Sequence, residues 1–226
     1  MSSCKRVVSI GAHSLDAELL GGPLLIKYAA QGARVTCANV VMGRLEGADH
    51  TDEERETYLH KVAEESGRAA ADLGGDTLWL GYDSNTMPTT DEFAARLEGW
   101  FGDEGVDLVI THWRGSMHPR HIATYDAVTQ AVKEMRRKGS SIRLMYGLTF
   151  EDLNGFLPQA YFVLSDDEVS QWMKALNEYA IFRGEVNDFP YRKYYPTNLK
   201  VKQIESGSAG PTVCYMHASL IENELW

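Results

Sequence analysis

The 226-residue chain is 44% hydrophobic and 24% charged, the composition of an ordinary globular protein long enough to bury one sizeable core. Its formal net charge of -10 argues against nucleic acid as a partner, because phosphate binding needs a basic surface. No apolar run approaches the roughly 18 residues needed to span a membrane, so no membrane partner is expected. Cys4, Cys37 and Cys214 are odd in number and widely spaced, which suits reduced thiols in a cytoplasmic protein better than a disulfide framework. The N-terminal basic pair, Lys5 and Arg6, precedes an apolar stretch too short for a signal core; that stretch is expected to be the first strand.

Short apolar runs rich in Val, Ile, Leu and Thr predict strands at residues 7–11, 35–41, 77–82, 106–111 and 142–149. Between them, apolar residues near helical spacing predict helices over 16–31, 52–73, 90–101 and about 121–138. Asp52 and Thr90 are the expected N-caps, and Gly32 and Gly139 the expected C-terminal glycines. Regular strand–helix alternation implies an α/β fold, a Rossmann-like three-layer sandwich with a mostly parallel sheet. After Thr149 the rhythm changes. Residues 160–165 predict a strand and 167–179 a helix, and the remainder is aromatic and irregular. The dense segment Phe189-Pro190-Tyr191-Arg192-Lys193-Tyr194-Tyr195-Pro196 is expected to pack on the domain or at an oligomer interface rather than to form a substrate platform. The break at Gly207–Pro211 divides a main domain, 1–205, from a small C-terminal extension, 206–226. That extension is expected to pack on the domain or in a homo-oligomer interface.

In parallel sheets, ligands bind beyond the carboxyl ends of the strands. His13, Asp16, Gly43, Asp83, His112 and His118 all follow strands closely, so they should gather at one edge. Two segments stand out: Ala12-His13-Ser14-Leu15-Asp16-Ala17-Glu18, and Met117-His118-Pro119-Arg120-His121. His13 and Asp16 are one helical turn apart at a strand-to-helix corner, on the same side of the helix. Together with a distant histidine they form a nitrogen/oxygen donor set, and three such donors with a fourth position open suit a catalytic zinc. His112 is expected to contact substrate or support a ligand. Arg44, just past the second strand, is expected to reach over the pocket toward an anionic or hydroxylated substrate. Trp113-Arg114 is expected to shape its mouth, while His50, His60 and His217 are taken as structural. The chain has no GxGxxG loop, no P-loop and no GxSxG elbow, which removes the usual nucleotide-binding and serine-hydrolase readings.

These segments resemble those of the zinc-dependent N-acetylglucosaminyl deacetylase-like family, also called LmbE-like or PIG-L. That family carries an AHPDDAE-type motif after the first strand and an HPDH-type motif after the fourth. Gly21-Gly22, Leu73-Gly74, Gly81-Tyr82-Asp83 and Ser165-Asp166-Asp167-Glu168 fit the same order, so the resemblance runs over about residues 6–200. It implies one Zn2+ per chain on His13, Asp16 and His121. It also implies His118 as the catalytic histidine that stabilises the oxyanion and acts as acid, and Asp83 as a contact to sugar hydroxyls. The activity implied is hydrolysis of an N-acyl bond on a small amino-sugar or glycoside conjugate.

Two positions depart from the family pattern. Leu15 stands where the family has the aspartate that serves as general base, and a leucine accepts no proton. Arg120 stands where the HPDH aspartate supports its histidine. Losing a base costs about 10²–10⁴-fold, while zinc alone still lowers the pKa of water. A hydrolase with an altered base is therefore expected, with Glu18 or Glu46 as the substitute carboxylate. The other reading is a catalytically inactive metal- or sugar-binding member of the family.

Overall fold

The computed structural model describes residues 4–43, 50–82 and 87–218. In chain order the elements are β1 (Arg6–Gly11), α1 (Asp16–Ala29), β2 (Arg34–Val41), α2 (Asp52–Asp72), β3 (Asp76–Tyr82), α3 (Thr90–Glu104) and β4 (Leu108–Thr111). There follow α4 (Pro119–Arg137), β5 (Arg143–Tyr146), β6 (Ala160–Val163), α5 (Asp166–Leu176), α6 (Tyr191–Ser206) and β7 (Thr212–His217). The strands form one sheet in the order β3-β2-β1-β4-β5-β7-β6. The first five run parallel, with Ile10 opposite Ala38 on one side and Thr111 on the other. β7 is antiparallel to both β5 and β6. The fold is thus α/β with a mostly parallel sheet.

Alternation along the strands feeds two cores, one on each face. Val7 joins Leu20, Leu24 and Leu25 of α1, Trp172 of α5 and Tyr195 of α6. Its neighbour Val8 joins Phe93, Leu97 and Phe101 of α3 and Val128 and Val132 of α4. Two glycines bring α1 close. A Cβ on Gly21 would meet Ser9 Oγ at 2.4 Å, and one on Gly22 would meet Trp172 Nε1 at 2.6 Å.

Three expectations are corrected. The caps of α2 and α3 are Thr51 and Thr89, one residue earlier than Asp52 and Thr90. Each threonine hydroxyl accepts from the N–H three residues on, and Glu54 and Glu92 answer to the cap N–H, closing a capping box. The aromatic segment after 189 is helical: Tyr191, Tyr195 and Leu199 recur every four residues and are buried on one stripe of α6. Residues 212–217 are β7 itself, paired on both sides within the sheet. Among the described residues, no helix is long and apolar enough to cross a membrane.

Candidate metal centre and active site

Four carboxyl-edge segments meet. The turn after β1 carries His13 and Asp16, the residue after β4 is His112, the start of α4 carries His118 and His121, and residues 149–152 follow β5. The turn after β1 is sharp because Leu15, at the N-cap of α1, holds φ 79° and ψ -30°. Leu15 is the one non-glycine residue with positive φ among the described residues. Such a conformation costs a leucine roughly 1–3 kcal/mol. It folds Asp16 back, so that its Oδ2 accepts the His13 N–H at 2.8 Å and lies 3.1 Å from His13 Nδ1.

Asp16 Oδ2 also lies 3.3 Å from His121 Nε2 and 3.5 Å from His112 Nε2. Burial works against its charge, but His121, His112 and His13 together hold the carboxyl well below its usual range. Behind the histidines sits Asp152, fully buried, with Oδ1 2.8 Å from His121 Nδ1 and Oδ2 2.8 Å from His112 Nδ1. Thr149 Oγ1 donates to Asp152 Oδ2 at 2.8 Å, fixing the carboxylate. Burial opposes ionisation of Asp152, yet both imidazoles keep its pKa low.

These contacts fix tautomers. His112 Nε2 accepts the Ala12 N–H at 2.9 Å, so its proton is on Nδ1 and points to Asp152. Both nitrogens of His112 are engaged and the ring is 0% exposed. The expected substrate contact is therefore replaced by support of the turn after β1. His121 donates from Nδ1 to Asp152, which turns its Nε2 lone pair toward Asp16. That nitrogen is buried and has no hydrogen-bond partner. A lone pair facing a carboxylate requires a cation between them, either a proton or a metal ion. Without a metal, a proton supplies the charge: burial opposes it, but Asp16 and Asp152 raise His121 to about 10.

The donor chemistry fits a metal. Tetrahedral zinc with bonds of about 2.0–2.2 Å separates neighbouring donors by about 3.3–3.6 Å, against 3.1 and 3.3 Å from Asp16 Oδ2 to His13 Nδ1 and His121 Nε2. Donor atoms within 4.8 Å of one another fall into two overlapping groups, His13–His118–His121 and Asp16–His112–His121. The expected triad of His13, Asp16 and His121 takes members from both groups but is itself neither of them, and His112 is engaged by its bond to Ala12.

His118 is the N-cap of α4, accepting the Arg120 N–H on Nδ1 at 3.3 Å, with Pro119 as the first helical residue. Its remaining proton is on Nε2. Burial, then the charges of His13, His121 and Arg120, push it down to about 4, so it is a neutral N–H donor.

A cavity of about 610 Å³ opens over this cluster, a size that suits a small ligand. His13, Leu15, Asp16, His118, Arg120 and Glu151 line its floor, and Tyr58, Phe150 and Tyr191 its walls. Glu151 Oε2 is 3.7 Å from His121 Nε2, and burial raises its carboxyl above the usual range. Asp16 and Glu151 are the carboxylates of this lining among the described residues.

Glu18, one of the two expected substitute bases, is not in the cavity. It is 0% exposed, accepts from Tyr179 Oη at 2.9 Å, and burial raises it to about 7. Being two residues past Asp16 on α1, it points to the opposite side of the helix. Glu46, Arg44 and Asp83 lie outside the described residues. Trp113 does not line the cavity; it packs against Tyr125 and Tyr146 and donates to Asn154 O at 2.8 Å. Arg114 pairs with Asp126 at the surface. Glu151 and Asp152 are not among the expected site residues, although they follow β5 and the rule that gathers the histidines at the carboxyl edge applies equally to them.

A mostly parallel α/β sheet with buried imidazoles and carboxylates at its carboxyl edge places the chain among α/β proteins with a candidate metal centre beyond the strand ends. The chain belongs to the GlcNAc-PI de-N-acetylase (PIG-L) family, whose pattern matches residues 8–132. No curated protein sequence matches it. Its structure is similar to a deacetylase of teicoplanin biosynthesis, with TM-score 0.73, 17% identity and coverage of 95% of this chain and 99% of that one. It is similar to the N,N'-diacetylchitobiose deacetylase of Pyrococcus horikoshii, with TM-score 0.72, 17% identity and coverage of 95% and 84%. It is also similar to a 4-carboxy-2-hydroxymuconate hydratase of Pseudomonas putida, with TM-score 0.72, 16% identity and coverage of 98% and 100%. At these identities the likeness establishes the fold.

Proposed function

We propose that the protein hydrolyses an N-acyl bond on a small amino-sugar-like substrate, using one zinc ion per chain held by His13, Asp16 and His121. The observation that carries this reading is the buried, unpartnered His121 Nε2 facing the Asp16 carboxylate. Asp152 supports it, since a carboxylate behind a ligand histidine orients the ring and raises its basicity. The metal, when bound, supplies Lewis acidity toward a carbonyl and toward water.

The remaining roles belong to the chain. Glu151 is the general base in place of the family aspartate that Leu15 replaces. It faces the cavity near His121, and burial raises its carboxyl above the usual range, which makes it a stronger base than an exposed carboxylate. His118, with its Nε2–H toward the cavity and Nδ1 tied to the Arg120 amide, donates to the developing oxyanion. Asp152 stays charged and keeps His121 in one tautomer. The reduced cysteines support a cytoplasmic setting, and the protein acts without nucleic acid or a membrane, as a homo-oligomer.

Leu15 favours a second reading, a metal- and ligand-binding protein without turnover. Metal analysis of the purified protein, paired with acetate release over a panel of N-acetyl amino sugars and N-acetyl amino acids, separates the two. Zinc near one per chain with acetate release is the expected result. Zinc with ligand binding but no release across the panel supports the second reading, and a protein that takes up no metal contradicts both.

A further inference from the structure

Among the described residues, the cavity contains a cation with no anion of its own. Arg120 is half-buried in the first turn of α4 and lines the cavity beside His13 and His118. Its side chain has one hydrogen-bond partner among the described residues, His13 Nε2 at 3.2 Å from Nη1, and no carboxylate oxygen at ion-pair distance. The two carboxylates of the lining are drawn to the histidines, at 3.3 and 3.7 Å from His121 Nε2. The partner that Arg120 does have is conditional. His13 Nε2 accepts from the guanidinium only while the His13 proton is on Nδ1. If Nδ1 is given to a metal, the proton moves to Nε2, and Arg120 loses its acceptor.

A guanidinium in that position presents a planar fork of N–H donors whose geometry matches a carboxylate. Around it the walls are apolar and aromatic. Phe150 stacks on Phe189 at 3.8 Å between ring centres, Tyr191 stands edge-on to both, and Ile181 and Val186 continue the surface. Such walls suit the flat or hydrocarbon part of a ligand, and the guanidinium suits its charge.

We propose that Arg120 is the carboxylate-binding group of this cavity, and that the substrate is an N-acyl compound carrying a carboxylate. This deepens the hydrolase reading and rests on the same cavity. An arginine thus stands where the family pattern has an aspartate because the site has exchanged support of a histidine for capture of an anion.

The test is binding, which needs no turnover. Affinities are measured calorimetrically for two acid–neutral pairs, N-acetylphenylalanine with its carboxamide and N-acetylmuramate with N-acetylglucosamine; the pair that binds more tightly decides. Wild type and Arg120→Met are compared, each metal-free and zinc-loaded, with thermal unfolding and zinc content as controls for folding. The metal-free measurements matter because a carboxylate can also bind zinc directly. The expected result is a preference for the acid on the order of tenfold or more, the scale of one charge-assisted interaction, present without zinc and lost in Arg120→Met. Equal affinity for acid and neutral members, no measurable binding of either acid, or a preference that survives in folded Arg120→Met overturns the proposal. If the acid preference holds while no acyl group is ever released, the hydrolase reading fails and the carboxylate site stands.

Discussion

Glu151→Gln should lower acyl release by about 10²–10⁴-fold, the cost of removing a positioned base, while bound zinc stays at the wild-type level. The amide keeps the shape of the side chain but cannot take a proton. The Glu151 side chain makes none of the supporting hydrogen bonds around Asp152, and its backbone N–H, which donates to Thr149 Oγ1, is kept in the variant, so the histidines should remain in register. The same variant also tests whether Leu15 marks a lost function or a relocated one. Position 15 lines the cavity beside Asp16, at the turn where the family pattern has its aspartate. Leu15→Asp placed on top of Glu151→Gln should therefore recover part of the lost rate by returning a carboxylate to the lining. In wild type, where Glu151 already serves, Leu15→Asp should do little or reduce activity, because it adds an acid beside Asp16 in a buried position. A large gain from Leu15→Asp alone, with no loss in Glu151→Gln, would show that the base is missing rather than moved. The measurement is steady-state acyl release with metal content determined on the same samples.

His121→Ala should abolish both metal binding and turnover. It removes one of three donors and exposes the Asp16, Asp152 and Glu151 carboxylates to one another without the imidazole that joins them. Removing one partner of a buried charge network costs several kcal/mol, so a lower unfolding temperature is expected as well. His121→Gln, which keeps a polar side chain at the site, separates the two effects. It should restore part of the stability without restoring metal binding. Near-stoichiometric zinc in either variant would place the metal elsewhere.

The sheet and its carboxyl-edge cluster were readable from the chain because each strand ends in an abrupt change from apolar to small or polar residues. Gly11-Ala12-His13 and Thr111-His112 are such corners, and both histidines are where that pattern puts them. Glu151 and Asp152 were hidden because the fifth apolar run continues past the end of β5 at Tyr146 to Thr149, which blurred the corner. α6 was hidden by Pro190 and Pro196, which suggest a break; Pro190 is in fact the N-cap and Pro196 is accommodated inside the helix. The stripe Tyr191–Tyr195–Leu199 was visible at a spacing of four all along. β7 depends on pairing with β5 and β6, strands more than 45 residues earlier, and local pattern carries no signal for that. The direction of Glu18 was legible from helical phase, since residues two apart on a helix face nearly opposite ways. The strain at Leu15 was not legible, because nothing in the identity of a leucine announces a positive φ.

If the proposed site is right, Asp16 joins donors from the two overlapping groups into one metal site. Anomalous diffraction at the zinc edge, from crystals grown with zinc, tests it directly. One strong peak per chain is expected at about 2.0–2.2 Å from His13 Nδ1, Asp16 Oδ2 and His121 Nε2. A peak held by His13, His118 and His121 without Asp16, or no peak at this edge of the sheet, would contradict it.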